Sequence, residues 1–235
     1  MKGVLLLAMA FVRHNLWLLI MLLIWPWLFG GVLSVAGENQ TSDYAANLQQ
    51  EAFYGIVIIG FMAAAALNNE QKSRRVIAVL SKAVSRREYL ASFLVGVFIV
   101  GLSFTFSVAV ATWFATLHIH APLVHLPAFL TTVLISVLWI ASVSLMFSTF
   151  LPPLLTTILT AVTVGITLLG LRSATPGWRL LTPTSSMFSA LAANPLDPSW
   201  SVSWLSLVSA VIEMLIFLAI AAWTFQYRDL TRAIE

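Results

Sequence analysis

Apolar residues in this chain run in long stretches separated by short polar ones. A helix needs about 20 mostly apolar residues to cross a bilayer. Six stretches read as spans: about Leu16–Ala36, Ala52–Leu67, Ala91–Leu117, Leu126–Leu151, Pro152–Leu171 and Val202–Phe225. The second is short, so its helix is expected to extend past both ends. The runs are continuously apolar and lack the in–out alternation of barrel strands, which points to helices. The expected fold is an all-α membrane protein, a single transmembrane domain over residues 1–235 with six transmembrane helices.

Residues 1–14 add a further apolar piece ahead of the first span. One helix from Val4 to Ala36 would be about 50 Å long, too long for a hydrocarbon core about 30 Å thick. These residues are therefore read as an N-terminal interfacial segment that turns into the first span near Arg13. Ala8-Met9-Ala10 resembles a signal-peptidase site, but the apolar run before it is very short and Arg13 and His14 follow it.

Composition agrees with the pattern. Hydrophobic residues make up 60% of the 235 positions and charged residues 9%, where an average soluble domain carries about 25% charged. A water-facing surface cannot be built from so little polar material. The chain has no cysteine, which excludes disulfides, thiolate metal sites and cysteine nucleophiles.

Charge then orients the spans. With the N-terminus inside, the inner segments hold Lys2, Arg13, Lys72, Arg74, Arg75, Lys82, Arg86, Arg87, Arg228 and Arg232, ten of the twelve bases. Only Arg172 and Arg179 fall outside. Lysine and arginine collect in cytoplasmic loops, so both termini are expected in the cytoplasm. The net charge of +3 is thus a topology signal, and no nucleic-acid patch is read from it. Trp200, Trp204, Trp223 and Tyr227 suit interfacial belts at the two ends of the last span.

Three polar segments remain. Gly37–Glu51 reads as an acidic outer loop carrying Glu38, Asp43 and Glu51. Arg172–Ser201 reads as an outer segment broken by Pro176, Pro183, Pro195 and Pro198, with a short helix over Met187–Ala193 lying on the interface. Asn68–Leu90 faces inward and is the most informative. Ser85-Arg86-Arg87-Glu88 fits the S-x-x-E capping box, with Val84 and Tyr89 at the staple positions, so the third helix is expected to begin at Arg86. Before it, Gln71–Leu80 reads as an amphipathic helix. Val76, Ile77 and Leu80 share one face, and Lys72, Arg74 and Arg75 lie largely on the other. Such a cytoplasmic helix between spans two and three suits docking of a partner better than a plain tether.

This loop resembles one family. Type-2 ABC exporter permeases have six spans and carry, between spans two and three, a Glu followed by a helix ending in a Leu-Ser-Lys-Pro-Val-Ser-Arg type sequence. Here Glu70 stands at the head, and Leu80, Ser81, Lys82, Val84, Ser85, Arg86, Tyr89 and Leu90 occupy the matching positions. Ala83 replaces the usual Pro, and Arg74-Arg75 the usual Gly-Thr. The motif covers about a tenth of the chain, and the six-span layout extends the likeness along the rest. The resemblance implies a permease subunit in the bacterial cytoplasmic (inner) membrane. It implies a second permease chain as partner, the same or related, and a separate ATP-binding-cassette ATPase. Its coupling-helix residues would be Glu70, Arg74, Arg75, Val76, Ile77, Leu80, Ser81, Lys82, Ser85 and Arg86. The chain has no G-x-x-x-x-G-K-[ST] motif, so ATP and Mg would bind the partner ATPase and this chain would need no cofactor of its own.

Other constellations are weaker. Glu213 falls near the middle of the sixth span, where a carboxylate costs several kcal/mol unless it is protonated or faces protein or water. It is read either as a hydrogen-bonded packing residue or as part of a substrate path or dimer contact. His118, His120 and His125 cluster after span three, and plain loop histidines are expected rather than a metal site. Trp25-Pro26-Trp27 predicts a kink in the first span, and Ala63–Ala66 reads as a helix-contact face. Asp43, Asp197 and Asp229 lie outside the spans and the four histidines at or beyond span ends, so intramembrane proteolysis is not expected. The alternative from another class is a non-transporting membrane scaffold or assembly factor. An apolar lining with one carboxylate suits a lipid-like or amphipathic substrate.

Overall fold

The computed structural model describes residues 2–36, 41–72, 85–119, 123–170 and 184–227. Among the described residues every regular element is a helix: α1 Lys2–His14, α2 Leu16–Ala36, α3 Thr41–Lys72, α4 Arg86–Ile119, α5 Leu126–Ser148, α6 Pro153–Gly170, α7 Ser185–Ala192 and α8 Trp204–Tyr227. Four of them, α3, α4, α5 and α8, are each long and apolar enough to cross a bilayer. The pair α1 and α2 makes a fifth when counted as one bent span. Helix α6 is apolar over the shorter stretch Pro153–Leu168. The six spans read from the sequence are therefore matched by four helices, or five with the bent pair.

Helix α8 exposes Leu205, Val208, Val211, Ile212, Leu215, Ile216 and Ile220 along its outer side. Water does not tolerate a continuous apolar face of that length, whereas lipid or another apolar protein surface does. The chain is built as an integral membrane protein.

Helix α5 is the hub. It packs on α3, α4, α6, α7 and α8 and buries Phe129, Val133, Val137, Trp139, Val143 and Leu145. Between these large residues it buries Thr132, Ser136, Ser142 and Ser148, whose hydroxyls donate to carbonyls one turn back at 2.7–2.8 Å. The hydroxyls are thereby satisfied within the helix, and their small size lets neighbours approach. At Gly60 the approach of α3 is close enough that an added Cβ would stand 2.7 Å from Ile140. Ala63 and Ala64, on the small-residue face expected from the sequence, are buried.

The break between α1 and α2 is a 70° bend at Asn15, two residues past the expected Arg13. Asn15 holds it, donating both its backbone N–H (3.1 Å) and its side-chain amide (3.0 Å) to the Phe11 carbonyl. Helix α1 lies against α4, with Ala8 and Phe11 buried. Helix α2 runs on through Pro26. There Ser107 of α4 donates to the Leu23 carbonyl at 2.7 Å, beside the turn that Pro26 deprives of a donor.

Two expectations are corrected. Glu51 is not a loop residue. Helix α3 starts ten residues earlier, at Thr41, and Glu51 is buried within it, 5% exposed. The short helix after α6 is Ser185–Ala192, and it does not lie on the surface: Met187, Phe188 and Leu191 are at most 1% exposed. The fourth span closes slightly earlier than expected. Its helix ends at Ser148, and residues 149–152 turn into α6.

Candidate functional site

Two arrangements stand out, one at the end of the bundle where the basic residues fall and one at its middle. At the basic end, α4 begins as the capping box requires. The Ser85 backbone N–H donates to Glu88 Oε2 at 3.0 Å, the Ser85 hydroxyl donates to the same oxygen at 2.9 Å, and the Glu88 N–H donates to Ser85 Oγ at 3.2 Å. These bonds satisfy N–H groups that a helix start leaves open.

One residue on, Arg86 reaches across to α8. Its Nη1 donates to the carbonyls of Phe225 (3.0 Å) and Gln226 (2.8 Å), in the last turn of α8. A cation at a helix C-terminus meets the carbonyls of the last turn and the negative end of the helix dipole. Beside it, Tyr89 stacks on Phe225 with centroids 6.1 Å apart and meets Phe93 edge-on at 5.1 Å; Phe93 in turn meets Phe11 of α1 at 5.8 Å. Thr149, at the end of α5, shares a 2.8 Å hydrogen bond with Thr224. The start of α4 is thus tied to α1 and α8, and the last turn of α8 to α5.

The middle arrangement is centred on Glu213. Trp139 Nε1 donates to Glu213 Oε2 at 2.8 Å, and the Thr184 hydroxyl donates to the same oxygen at 3.4 Å. Trp139 lies at the middle of α5, and its ring meets Phe188 and Phe217 edge-on at 5.6 and 6.0 Å. Thr184 immediately precedes α7. Helix α7 therefore starts at mid-bundle and climbs along α5, about 12 Å at 1.5 Å per residue, toward the end opposite the basic one. There Trp200 donates to the Ala190 carbonyl at 2.9 Å and packs on Phe129 and His125. The N-terminus of α7 faces a carboxylate, the arrangement a helix dipole favours. Among the described residues no basic side chain joins Glu213.

The expected docking residues divide. Ser85 and Arg86 lie at the head of α4. Glu70 lies in the last turns of α3. Arg74, Arg75, Val76, Ile77, Leu80, Ser81 and Lys82 lie outside the described residues, as does His120. His125 sits beside Trp200 at 5.8 Å, and among the described residues no group of three His, Asp or Glu converges as metal ligands would.

Sequence reasoning missed the partners of Glu213 and the burial of Glu51. Tyr44, Leu48 and Ala52 recur at a helical period through the supposed outer loop, and that spacing was the available signal. The sequence matches no protein-family model and no curated protein.

Proposed function

We propose that this chain is the transmembrane permease subunit of an ATP-binding-cassette exporter in a bacterial cytoplasmic membrane, with six crossings, both termini in the cytoplasm, a second permease chain beside it and a separate ATPase below. The observation that carries this reading is the head of α4. The segment that resembles a coupling helix runs directly into a capped helix start, and Arg86 grips the last turn of α8. A displacement of residues 70–84 by a partner would be delivered to two long helices at once.

Those helices lead to the middle of the bundle. Helix α8 carries Glu213 about 18 Å from the Arg86 contact, at 1.5 Å per residue. It also presents the most open face of the four long helices, the face suited to a second copy and a path between the two. Glu213, held from one side by Trp139 and Thr184, would border that path and give an apolar lining a single acidic point. An amphipathic or lipid-like substrate fits such a lining. ATP and Mg belong to the partner.

The test is affinity purification from native membranes in mild detergent, with partners identified by mass spectrometry. The unmutated chain should retain an ATPase carrying a P-loop. Ile77→Asp should lose it while still inserting, because burying such a side chain is worth about 1.5–3 kcal/mol and a buried unpaired carboxylate adds a further penalty. Arg74→Ala should retain it, since exposed ion pairs contribute about 1 kcal/mol or less. Absence of any ATPase with the unmutated chain would replace this reading by the scaffold one.

A further inference from the structure

Glu51 lies away from both arrangements above. It lines a small cavity between three helices, with Tyr44, Asn47 and Leu48 of α3, Pro26 of α2, and Ala111 and Thr112 of α4. Glu51 is 5% exposed, Tyr44 7% and Thr112 2%. The position is ten residues into α3 and seven from the end of α4, about 10–15 Å below the helix ends at the non-basic end of the bundle.

A carboxylate in such surroundings requires a cation, because an isolated buried charge is strongly disfavoured in an apolar bundle. Among the described residues, none that lines it is basic. Tyr44 is the titratable group that faces Glu51 from its own helix. Tyr54, a turn further along α3, is half-exposed and meets Trp25 of α2 edge-on at 5.7 Å. Among the described residues, α2 and α4 give the wall only Pro26, Ala111 and Thr112, and α5, α6 and α7, which also pack on α3, bring no side chain to it. The cavity measures about 10 Å³, the lower limit for a single water. A hard divalent cation, which takes about six to eight oxygens, does not fit the lining, whose described side chains offer only the oxygens of Glu51, Asn47, Tyr44 and Thr112. A proton does, and it turns Glu51 into a neutral hydrogen-bond donor among oxygen acceptors from Asn47, Thr112 and Tyr44.

We propose that Glu51 is a proton-binding site that closes this end of the bundle. With Glu51 protonated, α2, α3 and α4 pack over it. Separation of these helices admits water and releases the proton, and repacking takes it up again. Because the closed packing holds the proton and the open one does not, closure is favoured at low pH and lost as pH rises. The proposal does not depend on the ATPase reading.

The absence of cysteine makes the test direct. Ala115→Cys, one turn beyond Ala111 on α4 and at an 8% exposed position, reports opening through its alkylation rate in the detergent-solubilised protein. The same cysteine in a Glu51→Gln background corrects for ionisation of the thiol itself. The ratio of the two rates should climb with pH, by about tenfold per unit at its steepest, the slope of one linked proton. A flat ratio overturns the proposal. A ratio that follows sodium at fixed pH replaces the proton by a metal cation and overturns it equally. Should Glu51→Gln fail to insert, infrared spectra of Glu213→Gln decide. A protonated-carboxyl stretch at neutral pH is expected there, and its absence overturns the assignment.

Discussion

Glu213 and Glu51 are both carboxylates inside long apolar helices, and the bundle treats them differently. Glu213 lies on the helix with the most open face. It is partly exposed and takes two hydrogen bonds on one oxygen from Trp139 and Thr184. Glu51 lies on α3 between α2 and α4, almost wholly enclosed, in a cavity where no basic residue is found among the described ones. One is a tie between three helices that leaves a side of Glu213 exposed along α8. The other is shut in by packing and needs only something as small as a proton. Depth in the membrane does not decide what an acidic residue does; the elements that surround it do.

Substitutions at the two sites can break or sharpen this contrast. The largest loss is expected for Trp139→Ala, which empties a fully buried indole from the hub helix and frees Glu213 together. Large-to-small changes of this kind cost about 3–5 kcal/mol, read as a lowered denaturation midpoint of the solubilised protein. Trp139→Phe separates the two effects by keeping most of the ring and removing the donor. About 1–3 kcal/mol is expected if the hydrogen bond matters, and a change near zero would make Glu213 a residue merely adjacent to the tryptophan.

Next is Gly55→Ala, one turn from Glu51. An added Cβ there would land in the ring of Phe104, which is fully buried. Overpacking costs about 1–3 kcal/mol, and it should pry α3 from α4, raising the alkylation rate at a cysteine near the Glu51 cavity. Relief of both effects by Phe104→Leu would show that close helix approach is what encloses Glu51. The smallest effect is expected for Thr184→Val, about 0.5–1.5 kcal/mol, because its 3.4 Å bond to Glu213 is the longer of the two. A loss exceeding that of Trp139→Phe would make the start of α7, rather than α5, the main support of Glu213.

The parts of this structure legible in the sequence are those governed by local rules. Ser85 and Glu88 are three residues apart, and the box forms as the spacing dictates. Apolar run length located α4, α5 and α8 to within a few residues at most ends. Glu213 was visible because a charge in an apolar run needs no partner to be noticed. What escaped depends on distant contacts. Trp139 is 74 positions from Glu213, and its periodicity alone marks it only as core. Glu51 was misplaced because Asp43, Asn47, Gln49 and Gln50 give the first turns of α3 a polar look, while its burial comes from α2 and α4 closing over one face. Helix α7 was found, but its eight residues carry no signal that they stand inside the bundle rather than on it. Arg86 was read as part of a docking segment, and its grip on α8 across 139 positions has no sequence mark at all.

The central claim is that the segment leading into α4 is where an ATPase attaches, and the most direct measurement uses the cysteine-free background. Ile77→Cys, as the only cysteine of the chain, would be treated in native membranes with a thiol-directed photo-crosslinker, with and without ATP. The account predicts a cross-linked product that contains a P-loop ATPase and changes in yield with nucleotide. A product containing no such ATPase under either condition, from protein shown to be inserted, would contradict it.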